Sequence, residues 1–161
     1  MRFVKLGLIS VVVFFVLLTA MGSLFPSDII VTRAINISAS ADTLKNYIAD
    51  YNKWNDWMAG AKTSDLKVVA KDSSTAFFGT TVIKLLEHKT NSWKHEWKGR
   101  SSPQVSTIEL ITAGPVTTVA WKFEEHVKWY PWAKLGSMMN DKILGSSMEQ
   151  SLDNLKKTAE H

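Results

Sequence analysis

The spacing of apolar residues changes character along this chain, and each change predicts an element. From Leu6 to Phe25 twenty residues run without a charge, long enough to cross a hydrocarbon core of about 30 Å as one helix. Pro26 and Ser27 break the run. Ile29, Val31, Arg33, Ile35 and Ile37 then fall on one face of an alternating segment, which predicts a strand over Ile29–Ile37. Ser40 suits an N-cap and Asp42 a first turn, so Leu44, Tyr47 and Ile48 belong to a short helix. Asp50 is placed to cap a second one over Tyr51–Met58, with Trp54 and Trp57 on one side.

From Leu66 to Trp129 apolar runs are short and turn residues frequent, the habit of antiparallel strands. Strands are predicted near Leu66–Ala70, Thr75–Phe78, Thr80–His88, Ser92–Lys98, Gln104–Thr112 and Val116–Lys128, the second and third either separate or one strand bent at Gly79. Alternation puts Trp93, His95 and Trp97 on one face, and Val119, Trp121, Phe123, Glu125 and Val127 on another. These are the expected inward faces, so Arg33, His95 and Glu125 are ionisable groups on otherwise apolar surfaces.

The longest amphipathic run comes last. Pro131 opens a helix over Trp132–Lys157, and Leu144, Met148, Leu152, Leu155 and Ala159 recur at three- and four-residue steps, largely opposite Lys142, Glu149, Asp153, Lys156 and Lys157. Such a helix would be about 39 Å long, enough to back a whole small sheet. Met138, Met139 and Met148 add adaptable side chains, suited to ordinary core or to a ligand-lined groove.

Composition narrows the function. At 161 residues the chain divides into an apolar N-terminal segment, 1–26, and one domain, 27–161. The net charge of +4 falls to +2 once Arg2 and Lys5 are set aside, and no basic block stands elsewhere, so the footprint of a nucleic-acid binder is missing. Cysteine is absent, which excludes disulfides, thiolate metal sites and a Cys nucleophile. Basic residues before the apolar run and Asp28 after it favour a single-pass anchor, N-terminus cytoplasmic and domain on the outer side. A cleaved signal peptide is the competing reading, with an imperfect small-residue site at Ala20–Gly22.

The order of these elements is similar to that of the SRPBCC (START/Bet v 1-like) superfamily, in particular its membrane-anchored, polyketide cyclase/dehydrase-like bacterial members. Val31, Arg33, Ile35, Ile37 and Ala39, then Asp50, Trp54 and Trp57, carry the resemblance at the start; Gly145, Met148, Leu152, Leu155, Lys156 and Lys157 carry it at the end, and Leu24–Pro26 matches the anchored subgroup. It implies an α+β helix-grip fold, with a curved antiparallel sheet wrapping the C-terminal helix around a cavity for an apolar ligand. The family's glycine-rich hairpin is missing, since only Gly79 and Gly99 stand in that region.

The expected function is therefore binding of a hydrophobic small molecule or lipid beside a membrane, without a cofactor. Arg33, Trp54, Trp57, Trp93, Trp97, Trp121, Phe123, Met138, Met139 and Met148 are the candidate ligand contacts. A cyclase or dehydratase is the alternative, with His95 and Glu125 as acid and base; the plainer reading of His95 is a satisfied core residue. Arg33 and Glu125 could pair across neighbouring strands, or reach solvent separately at strand ends. No HExxH or His-x-His spacing points to a metal. Trp129, Tyr130 and Trp132 cluster before the long helix, at a pocket entrance or against a bilayer. A third possibility is an interaction module docking on a membrane-protein partner.

Overall fold

The computed structural model describes residues 2–24, 27–61, 66–99, 102–127 and 131–160. Helix α1, Arg2–Ser23, precedes strand β1, Asp28–Ile37. Helix α2, Ala41–Ala49, a 3₁₀ turn at Tyr51–Lys53 and the short helix α3, Trp54–Trp57, lead into strands β2, Val68–Asp72, β3, Thr75–Phe78, β4, Thr81–Lys89, β5, Ser92–Lys98, β6, Gln104–Ala113, and β7, Val116–His126. Helix α4, Pro131–Ala159, closes the chain.

The seven strands form one curved antiparallel sheet in the order β1-β7-β6-β5-β4-β3-β2. Strands β2 to β7 are a simple meander, while β1 crosses to pair with β7, Asp28 opposite His126 and Ile37 opposite Thr117. Register shifts between Ala70 and Asp72 and between Leu85 and Glu87 interrupt the ladders. Such irregularities add local bend, which helps a sheet curl around a helix. Gly79 separates β3 from β4 with a φ of 56°, a left-handed conformation that favours glycine. The two segments are thus separate strands.

Alternation along the strands is reflected in burial. Trp93, His95 and Trp97 point inward from β5, as do Val119, Trp121 and Phe123 from β7. Met148, Leu152 and Leu155 of α4 complete the core from the other side, with Leu144 and Ala159 partly buried. Each apolar face so covered gains roughly 25 cal/mol per Å² removed from water.

The short helices are fixed by specific hydrogen bonds. Ser40 Oγ accepts from the Thr43 N–H, and Asp50 Oδ1 from the Asn52 N–H, as N-caps do. What reads in sequence as one helix from Tyr51 to Met58 divides into the 3₁₀ turn and α3. The Asn55 side chain then pairs with both backbone groups of Val68, at 2.8 and 2.9 Å, and ties α3 to the edge strand β2.

Helix α1 contains a stretch, Phe3–Gly22, long and apolar enough to cross a membrane. It gives no residue to the hydrophobic core. Most of its large apolar side chains are exposed.

Candidate functional site

A cavity of about 690 Å³ lies between α4 and one end of the sheet. Its floor is aromatic: Trp97 from β5, Trp121 and Phe123 from β7. Met148 and Leu144 of α4 form the roof, and Met58, Leu66 and Phe78 the side. Polar groups enter at Thr81, Ser102, Gln104, Ser147, Gln150 and Ser151. Gly60, Leu66, Thr80, Gly99, Ser147 and Gln150 are its exposed lining residues.

Neighbouring contacts hold these walls in place. Trp97 Nε1 donates to Ser106 Oγ at 2.8 Å, and Trp97 stacks on Trp54 with ring centroids 6.0 Å apart. Phe123 lies 5.4 Å from both Trp97 and Trp121. Ser151, buried on α4, accepts from the Ala59 N–H at 2.9 Å and donates to the Ser147 carbonyl at 2.7 Å. The segment after α3 is thereby pinned to the long helix.

Among the residues expected to touch ligand, Trp97, Trp121, Phe123 and Met148 line the cavity. Trp54 and Trp57 do not. Both are fully buried, and their indole N–H groups donate to the carbonyls of Ile48 and Tyr47, so they hold the helical layer together. Trp93 is also core, stacked 5.3 Å from His88 and away from the cavity. Met138 and Met139, like Trp129, Tyr130 and Trp132, have side chains outside the described residues.

Arg33 and Glu125 do not meet. The register sets Arg33 opposite Trp121 and Glu125 opposite Ile29, and Arg33 Nε donates to Glu149 of α4 at 2.6 Å. Its guanidinium lies over Gly145, where a Cβ would overlap it. Glu125 instead accepts from Gln104 Nε2 at 2.9 Å, at the cavity rim. This contact turns the Gln104 amide nitrogen toward Glu125.

His95 is enclosed in the core, between Tyr51 and Trp54 with centroids 5.9 and 5.2 Å away. Burial drives its pKa down to about 4, and its Nδ1 has no hydrogen-bond partner among the described residues. The imidazole is neutral at pH 7. Tyr51 is pushed up to about 12, by burial first and the Asp72 charge second, and its hydroxyl is also without a partner among the described residues. His95 does not line the cavity, and its neighbours across the sheet are Leu85 and Ser106. It thus makes no acid/base pair with Glu125. Among the described residues no group of three or more His, Asp or Glu could hold a metal ion.

Gln104, Ser147 and Ser151 belong to the site without having been singled out from sequence. Ser147 and Ser151 flank Met148 at four-residue spacing, a polar interruption of an apolar stripe that could have marked them. Gln104 at a strand start carries no such signal.

Comparison with known proteins agrees with this architecture. No curated protein matches the chain in sequence. A START superfamily protein from Mycobacterium smegmatis superposes with a TM-score of 0.62 at 16% identity, over 81% of this chain and 97% of that one. CalU16 from Micromonospora echinospora gives 0.59 at 13% identity, over 80% of each chain. A conserved protein from Geobacillus kaustophilus gives 0.61 at 11%, over 81% and 95%. Identities this low establish the fold alone. In sequence, residues 28–160 match the model of the polyketide cyclase / dehydrase and lipid transport family, and the chain belongs to that family.

Proposed function

We propose that this protein is a membrane-tethered binding module that holds a hydrophobic small molecule or lipid between α4 and the sheet, without covalent chemistry. The observation that carries the reading is the cavity of about 690 Å³ floored by Trp97, Trp121 and Phe123. Its size falls within the range of about 300–1,000 Å³ usual for small-molecule sites, which are mostly apolar with polar groups at particular points. The tether is α1, with Arg2 and Lys5 left in the cytoplasm and residues 27–161 on the outer side. Acid–base catalysis has less support, because His95 is closed into the core and Glu125 is bound to Gln104.

Since α1 gives nothing to the core, residues 27–161 keep its hydrophobic cluster and serve for the binding assay. Titration with fatty alcohols, fatty acids and polycyclic compounds is expected to change tryptophan fluorescence saturably, because Trp97 and Trp121 face the site. Leu144→Trp, which fills the cavity from α4, is expected to abolish the response with folding intact. No saturable change across the panel would refute the proposal.

A further inference from the structure

The register of the sheet fixes which end of the domain holds the cavity. Phe78 pairs with Thr81, Trp97 with Gln104, Gln104 with Glu125, and Glu125 with Ile29. These residues follow one another along a single end of the sheet. The cavity is built there, from Phe78, Thr80, Thr81, Trp97, Gly99 and Gln104. At the opposite end lie the hairpin turns around residues 90 and 114 and the last turn of α4, held to Ser38 through Glu160 and to Tyr47 through the Thr158 carbonyl.

Strand β1 starts at the cavity end. Asp28 faces His126, and the Val127 N–H donates to the Ser27 carbonyl at 2.7 Å. Helix α1 ends only five Cα steps earlier, at Ser23. Such a link reaches at most roughly 18 Å. The ten-residue β1 is about 33 Å long, so the far end cannot approach the bilayer as readily as the end where the link attaches.

We infer that the cavity mouth faces the bilayer that holds α1, and that the ligand enters from the lipid phase. This rests on the tethered-binding reading above and adds a route to it. Leu66 on the rim, 42% exposed, and Leu24 in the link, 84% exposed, lie at this end. A poorly water-soluble molecule entering there would not cross bulk water.

The chain has no cysteine, so single labels are clean. Full-length Thr80→Cys, at the mouth, and Thr90→Cys, at the far hairpin, would each carry a fluorophore in phosphatidylcholine vesicles containing a spin-labelled phosphatidylcholine. The expected result is strong loss of fluorescence at position 80 and little at position 90. Equal quenching, stronger quenching at 90, or none at either would overturn the inference. Ligand titration of residues 27–161 runs in parallel: a saturable response with the wrong quenching pattern removes the membrane-facing mouth and leaves ligand binding standing. Absence of any response removes the ligand route together with the binding reading, whatever the labels report.

Discussion

Burial of His95 makes a quantitative statement about acid stability. In the unfolded chain its imidazole titrates near 6.5, and in the folded domain burial lowers this to about 4. As pH falls through 6.5 the unfolded state takes up a proton that the folded state refuses. Stability contributed above pH 6.5 is therefore lost progressively down to about pH 4, below which both states are protonated and the loss is complete. A tenfold difference in proton affinity between the two states is worth about 1.4 kcal/mol, so the full window amounts to about 3 kcal/mol, of which about 2 is lost by pH 5. Denaturant unfolding of residues 27–161 at pH 7 and pH 5, compared with His95→Gln, isolates this residue, because the two proteins share every other ionisable side chain. The wild type should lose about 2 kcal/mol more than the variant between these pH values. Equal losses would refute the reasoning, as would an imidazole resonance of His95 titrating near pH 6.5 in the folded protein.

Other perturbations test the architecture. Trp54→Ala should destabilise the domain by about 3–5 kcal/mol, since it empties a fully buried site and leaves the Ile48 carbonyl without its donor; denaturant unfolding measures this. Gly145→Ala gains about 1 kcal/mol of helix propensity but drives the Arg33 guanidinium off α4, so the same measurement should show less than that gain. The Arg33–Glu149 pair is partly exposed, at 32% and 61%, so a double-mutant cycle on it should give about 1 kcal/mol or less.

Local periodicity made much of the fold legible. The two-residue alternation of β5 and β7 marks Trp97, Trp121 and Phe123 as inward without reference to strand pairing, and the spacing of Leu144, Met148, Leu152 and Leu155 marks the gripping face of α4. Long-range register was not legible, because it depends on which strand lies beside which and at what offset. Arg33 and Glu125 share a sheet face, yet four residues of offset along β1 separate them. For the same reason the tryptophans could not be sorted: Trp54 and Trp97 are both apolar-face residues, but only one borders the space that α4 leaves unfilled. The Ser151–Ala59 contact, which joins segments 92 positions apart, had no local signature at all.

The pairing of β1 with β7 also bears on biosynthesis. Strand β1 is made before β2 to β7, yet it pairs with residues 80 to 98 positions later. Strands β2 to β7 can zip locally as they emerge, whereas closure of so long a loop is entropically slow. Until the meander is finished β1 thus stays unpaired, and an unpaired strand edge is a template for mispairing with other chains.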